Sequence, residues 1–434
     1  MTVSAPTDLD ARLGEEFEHE AVPEANRKPV GSVAAIWFGF PMILTNALFG
    51  GIITYHLGFA RGLLALLGGN FVLFLYVGAL SYVAGRTGLN FAMQAKRTFG
   101  TRGYAMASAF LSSIVIGWYA FQTGLTGATL HDSFGWNTKL IICLAALLYT
   151  GVTFLGVRAL TVIGMIAAPL YVILGVVALG FVSASHGLGG VTHYAGHAGG
   201  MSFTGAVTLV IATFADSGTM TADFTRWSRN GREAVLAAFT AFPVASLVAQ
   251  LFGLVVVAAG AAAQPATDGG DFLALLTGHG ALLSALAVAF VFVNLGSVCT
   301  HCLYNGAVGY SHLFGSQMRR LTLVLGAIGG ALALAGVWSL FLGWLNVLGM
   351  LVPPIGAVMI VDQLLLGGLE RPAADAAFRP PALIAWAAGA ACALLVHLGL
   401  PGLGEAITGI LVAGAAYALM RRRVGTRLAQ PASR

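Results

Sequence analysis

Polar and charged residues in this chain are confined to short breaks between long apolar runs. Runs long enough to cross a bilayer, about 20 residues each, recur near 30–54, 60–83, 104–130, 137–157, 160–183, 202–224, 233–261, 279–311, 321–337, 339–361, 380–398 and 402–420. The pattern predicts an all-α polytopic membrane protein of about twelve transmembrane helices, numbered here as spans in chain order. Two spans are interrupted. Span 1 reads VGSVAAIWFGFPMILTNALFGG, with Gly39, Pro41 and Gly50-Gly51 inside it. Pro41 removes a backbone donor and disturbs the preceding turn. Carbonyls freed there must line a cavity or hold an ion, because lipid cannot satisfy them. Span 6 runs into GAVTLVIATFADSGTMTADFTRWSR, where Asp216 sits among apolar residues and a break is expected at Ser217-Gly218. Arg226 and Arg229 mark the expected water boundary. Spans 1 and 6 are five apart, where an inverted five-plus-five repeat places its discontinuous helices.

This divides the chain into an N-terminal tail (1–29), a first repeat of spans 1–5 (30–183), an outer loop (184–201), a second repeat of spans 6–10 (202–361), spans 11 and 12 (380–420) and a basic tail (421–434). With the N-terminus inside, 20 of the 22 Lys and Arg fall on the cytosolic side, and only Arg61 and Lys139 lie outside. That asymmetry sets the orientation, with both termini cytosolic and the chain in a bacterial-type inner membrane. The N-terminal tail, with Glu15, Glu16, Glu18, Glu20 and Glu24, lacks the basic start and apolar core of a signal peptide. It is expected to be mobile. AGRTGLNFAMQAKRTFGTRG, between spans 2 and 3, is amphipathic and basic, which predicts an interfacial helix.

Composition agrees. The chain is 58% hydrophobic and 9% charged, with a mean hydropathy of +0.85, against about 25% charged in soluble domains. The net charge of +5 follows the inner membrane face rather than any nucleic-acid surface. Cys143, Cys299, Cys302 and Cys392 all fall in spans, away from any extracellular disulfide. The order Cys299-Thr300-His301-Cys302 is wrong for covalent haem and has no second ligand pair. His186, His193 and His197 lie unevenly in a Gly-rich loop and read as solvated. No nucleophile or metal cluster suggests an enzyme, and no cofactor is expected beyond a bound sodium ion.

The candidate chemistry lies in spans 3, 6 and 8. Trp118 and Gln122 are four apart on one face of span 3. An indole offers a stacking face, and an amide offers an acceptor and two donors, which together suit a planar heterocycle. Trp118 lies about fourteen residues into its span, too deep for the interface belt at about 1.5 Å per residue. Phe214 is placed to stack on a ring from the opposite side. Asp216 can accept from an amine or amidine-like edge or carry a coupling proton. Asn46 adds a further polar contact. Asn294 and Ser297, three apart in span 8, supply oxygens of the kind a hard cation takes. His301 reads as a packed neutral imidazole, and Pro353-Pro354 is expected to bend span 10.

Further motifs carry a resemblance: GG…GN (Gly50, Gly51, Gly69, Asn70), AGRTGLN (Ala84 to Asn90), FG (Phe99, Gly100), GW (Gly117, Trp118), TADFTRW (Thr221 to Trp227) and LYNGAVGYS (Leu303 to Ser311). In their order and spacing, over about residues 30–320, the chain resembles the nucleobase–cation symport family 1, and within it the cytosine permease branch. The resemblance implies the LeuT-like inverted-repeat transporter fold with discontinuous spans 1 and 6. It implies substrate contacts at Trp118, Gln122, Phe214 and the neighbouring hydroxyl of Thr213. It also implies a sodium site from the backbone carbonyls of Gly39 and Ile43 with Asn294 and Ser297. The chain departs from the pattern at Val298, where a second sodium-binding hydroxyl is expected, and at Val115, Cys299 and Asp216, where the cytosine branch has glutamine, asparagine and a small hydroxyl residue. The expected function is a sodium- or proton-coupled symporter importing a nucleobase or related planar nitrogen heterocycle such as cytosine or a purine. The alternative is a same-fold transporter of a small amine, amidine or amino-acid-like solute. A monomer in lipid, with no nucleic-acid partner, is expected.

Overall fold

Apolar runs in lipid fold as helices because only internal bonding satisfies their backbone. The computed structural model describes residues 15–197, 199–370, 376–400 and 402–429. Among these every apolar run is helical, and the extended pairing is limited to an isolated bridge between Lys28 and Ser228. Span 1 comprises α1 (Val30–Gly39) and the first limb of α2 (Leu44–Thr87), and span 2 is the second limb. The limbs meet at Gly58, whose φ of 76° lets the chain turn back, so that Gly62 lies against Thr54. The amphipathic linker is α3 (Phe91–Phe99), and spans 3 to 5 are α4 (Tyr104–Phe134), α5 (Thr138–Phe154) and α6 (Val157–Ser185). Span 6 is α7 (Phe203–Ala212), α8 (Ala215–Thr219) and α9 (Ala222–Thr225). Span 7 is α10 (Gly231–Phe239), a wider π turn at Thr240–Ala245 and α11 (Ser246–Ala258). Spans 8 and 9 are α12 (Ala281–Phe314) and α13 (Met318–Leu334). Pro353-Pro354 divides span 10 into α14 (Phe341–Leu351) and α15 (Pro353–Ile360), and α16 (Pro380–Gly399) and α17 (Glu405–Ala429) follow. Seven of the described helical stretches are long and apolar enough to cross a membrane by length and composition.

The two interruptions differ in form. In span 1 the helix stops at Gly39 and resumes at Leu44, with Ile43 extended at φ −130° and ψ 154°. In span 6 the break falls at Thr213-Phe214, where Phe214 has φ −132° and ψ 16°. That is one turn before the Ser217-Gly218 position expected from sequence. Gly218 instead allows close packing, because a Cβ there would lie 2.8 Å from Val77 Cγ2.

Buried polar pairs tie these spans together. Asn70 Nδ2 donates to Gln250 Oε1 at 2.6 Å, and Gln250 Nε2 donates to Asn46 Oδ1 at 3.2 Å, joining spans 2, 7 and 1. Tyr76 pairs with Thr219 at 2.6 Å and Ser81 with Thr221 at 2.8 Å, joining span 2 to span 6. α1 crosses α6 with backbone against backbone, where a Cβ on Gly39 would overlap Gly164. Such contacts let helices approach closely without a large apolar side chain.

The described part of the N-terminal tail packs against the bundle. Residues 15–29 form a strap bonded across one end of the helical bundle. Val22 N donates to Gly88 O at 3.0 Å and Lys28 N to Trp227 O at 2.7 Å. Arg27 Nη1 donates to Gly85 O at 2.7 Å, Met318 N donates to Glu18 Oε1 at 2.9 Å, and Asn90 Nδ2 donates to Glu18 O at 2.8 Å. Its acidic residues look solvated in sequence, yet helix N-termini leave N–H groups that carboxylates accept from. Arg229 is exposed, as a boundary residue should be, but Arg226 is fully buried beneath this strap.

Candidate functional site

Gln122, Phe214, Asn46 and Asn294 each contact the interrupted stretch of span 1 or the residues just past it. On one side, α4 places Trp118 and Gln122 a helical turn apart, both buried. Gln122 Oε1 accepts from Thr45 Oγ1, just past the break, at 3.1 Å. Its Nε2 is buried with no hydrogen-bond partner among the described residues. Trp118 packs edge-on to Trp344 of α14 at 5.6 Å, beside an apolar cavity of ≈ 410 Å³ lined by Gly117, Phe121, Leu340, Trp344 and Val347.

On the other side, Phe214 in the span 6 break meets Phe40 in the span 1 break at 5.3 Å and 71°. It also meets Phe242 in the π turn at 5.2 Å. Thr213 turns its hydroxyl back to Leu209 O at 2.8 Å. Asp216, in the first turn of α8, is buried, and its Oδ2 has no partner among the described residues. Asn46 is differently engaged. Its Nδ2 donates to Pro41 O at 2.6 Å and reaches Ser246 Oγ at 3.3 Å, while its Oδ1 takes the Gln250 bond, so it braces the break against span 7.

The candidate sodium ligands flank the same break. Asn294 Oδ1 accepts from Leu44 N at 2.9 Å, and its Nδ2 donates to Met42 O at 2.7 Å. Gly39 ends α1, and the Ile43 carbonyl already accepts from Asn46 N at 2.9 Å. Ser297 Oγ is buried with no partner among the described residues, which fits a side chain able to offer its oxygen to a cation. Val298 is buried beside it and contributes none. His301 is packed: its two ring nitrogens face Ser297 O and Ile36 O, and its ring stacks on Phe40 at 4.8 Å.

Sequence reasoning missed a second cluster, at the strap. Glu16 is buried; its Oε1 accepts from Val157 N at 3.0 Å and its Oε2 from Tyr304 OH at 2.8 Å. Arg319 Nη2 lies 3.9 Å from Oε1. Arg226 donates to Glu16 O at 2.7 Å and Phe17 O at 2.6 Å. Burial pushes the Glu16 carboxyl up, while Tyr304, the Val157 N–H, Arg226 and Arg319 pull it down. The signal for it lay in TADFTRW and LYNGAVGYS. Their Arg226 and Tyr304 hold the strap, and Asp223 Oδ1 accepts from Phe91 N at 2.9 Å, at the start of α3.

The sequence profile of the family described as permease for cytosine/purines, uracil, thiamine and allantoin matches residues 21–419. Cytosine permease of Escherichia coli (strain K12) is 31% identical over 351 residues, covering 80% of this chain and 81% of that protein. Hydantoin permease of Microbacterium maritypicum is 25% identical over 187 residues, 42% of this chain and 38% of that one. Among solved structures, Mhp1, a nucleobase-cation-symport-1 family transporter, in a closed conformation with bromovinylhydantoin bound, matches with a TM-score of 0.77 at 18% identity over 96% of both chains. A Na+-coupled sialic acid symporter matches with a TM-score of 0.65 at 12% identity, over 91% of this chain and 90% of that one. These likenesses show the LeuT-like transporter fold.

Proposed function

This chain belongs to the permease family for cytosine/purines, uracil, thiamine and allantoin, and on that premise we propose that it is a cation-coupled symporter importing a nucleobase or related planar nitrogen heterocycle. The observation that carries the reading is a buried donor on span 3 and a buried acceptor beside the span 6 break, each without a hydrogen-bond partner among the described residues: Gln122 Nε2 and Asp216 Oδ2. Buried polar atoms are nearly always hydrogen-bonded, so such a pair is suited to the amide or amidine edge of a ring. Trp118 and Phe214 supply aromatic faces for that ring. Cytosine and hydantoin, named for two relatives, are planar and carry N–H groups. Asp216 favours a solute with adjacent donors, such as a guanine-like ring or a cationic amidine.

The coupling ion is assigned to the span 1 break, between the carbonyls of Gly39 and Ile43, Asn294 and Ser297. Loading it there would stiffen the backbone from which Thr45 reaches Gln122. Movement of one bundle of spans against the rest would expose the site to each side in turn. The distribution of Lys and Arg supports cytosolic termini and an inner-membrane location.

A thermal-shift panel of cytosine, uracil, purines and hydantoins, with and without sodium, tests the reading. A ligand bound only by the folded protein raises its apparent stability by mass action. Stabilisation by a heterocycle is expected. Stabilisation by amines or amino acids alone would replace this reading with that of a same-fold transporter for those solutes.

A further inference from the structure

We infer that Glu16 is the latch of an inner gate, a positioning residue that must leave its pocket before solute is released on the face carrying the N-terminus. The inference rests on the alternating-access reading above. Between Phe214 of the candidate site and Glu16 of the strap runs an unbroken column of buried rings. Phe214 meets Phe40 at 5.3 Å, and Phe40 stacks on His301 at 4.8 Å. His301 meets Phe224 at 5.4 Å, and Phe224 stacks on Tyr304 at 5.7 Å. Tyr304 then donates its hydroxyl to Glu16. Phe40, Phe214 and Phe224 belong to spans 1 and 6, and His301 and Tyr304 to span 8. A path from the site to this face requires those two groups to part.

Asn294 and His301 also bridge spans 8 and 1 nearer the site, and at the strap end Glu16 ties the two groups together. Its carboxylate takes Tyr304 of span 8 and Val157 N at the start of span 5, while its backbone and that of Phe17 take Arg226 at the end of span 6. The fit is close: Gly156 has φ 82°, and a Cβ there would overlap Glu16 Oε1. Every partner is fixed on a helix or helix end, whereas Glu16 sits on the irregular stretch of the strap before its short 3-10 turn at Glu24–Asn26, so Glu16 is the member placed to withdraw. A carboxylate can leave such a pocket for water, because water replaces the bonds it gives up.

The chain carries its own reporter. Cys302 is 1% exposed and lies between His301 and Tyr304 in sequence. Inside-out membranes containing the full chain are treated with a membrane-impermeant maleimide, and Cys302 modification is followed by mass spectrometry, without added solute. Glu16→Ala is expected to raise the Cys302 rate on the order of tenfold, the effect of losing charge-assisted bonds. Tyr304→Phe, which keeps the ring and deletes one bond, is expected to raise it less. If Glu16→Ala fails to fold, Tyr304→Phe decides alone. Wild-type Cys302 rates in folded variants would overturn the inference. So would a rise in Glu16→Ala matched only by a lower Tm, with Tyr304→Phe at the wild-type rate, since that marks a structural anchor. The readout needs no solute, so it stands or falls separately from the heterocycle panel.

Discussion

Asn294 clamps both edges of the break in span 1, accepting from Leu44 N at 2.9 Å and donating to Met42 O at 2.7 Å. An extended stretch in lipid needs such external partners, since neither group can bond along a helix. Asn294→Ala orphans both, at a cost of about 1–3 kcal/mol per buried group. The expected result is a lower Tm together with loss of any sodium-dependent stabilisation. Asn294→Asp keeps the acceptor for Leu44 N but loses the donor to Met42 O, and should fall between. A sodium-dependent shift that survives Asn294→Ala would remove this residue from the ion site.

Trp118→Ala is expected to weaken heterocycle binding at least about tenfold, since a stacked ring contributes through both area and ring geometry. Trp118→Phe should recover part of the loss. Trp118 also packs on Trp344, so binding to purified protein of known Tm is the measurement. Affinity unchanged in a folded Trp118→Ala variant would take the indole out of the site.

Asp216→Asn replaces an acceptor-only carboxylate with a group that also donates. Solutes offering adjacent N–H groups should lose about 10- to 100-fold in affinity, the effect of one mismatched buried hydrogen bond. Competition assays across pH are the check. An unaltered preference and an unaltered pH profile would leave Asp216 a structural acid.

Asp271, between spans 7 and 8, gives a pH prediction independent of transport. Burial pushes its carboxyl from 3.8 up to about 6; the Leu273 N–H pulls it down and Asp268 pushes it up. The folded protein therefore holds this proton more tightly than the unfolded chain. Over that interval the folded state binds more protons, so its stability falls as pH rises from about 4 to about 6 and levels above. Asp271→Asn retains an acceptor for Leu273 N and cannot titrate. Its Tm should vary less with pH across that interval and exceed the wild-type value at pH 7. A wild-type slope in the variant would assign the titration elsewhere.

The apolar runs, the break after Gly39 and the Pro353-Pro354 division were legible because span length and proline chemistry are local properties. The role of Asn46 was not: a buried amide looks the same in sequence whether it meets a solute or, as here, Pro41, Ser246 and Gln250. The position of the span 6 break was misread because Gly218 serves packing against Val77, which depends on a distant helix. The strap was missed because the partners of Glu16 lie more than a hundred residues away. Charge alone does not distinguish a solvated acid from one paired at long range.

The relay from Asn70 through Gln250 to Asn46 bears on mechanics. Sliding span 7 along span 1 would strand two amides in a dry interior at once, a penalty few motions can bear. Spans 1, 2 and 7 should then travel as a single rigid piece, with span 6 carried along by Tyr76 and Ser81. Displacement must be absorbed where nothing interlocks. The Gly39–Gly164 crossing, bare main chain on bare main chain, is the natural bearing surface.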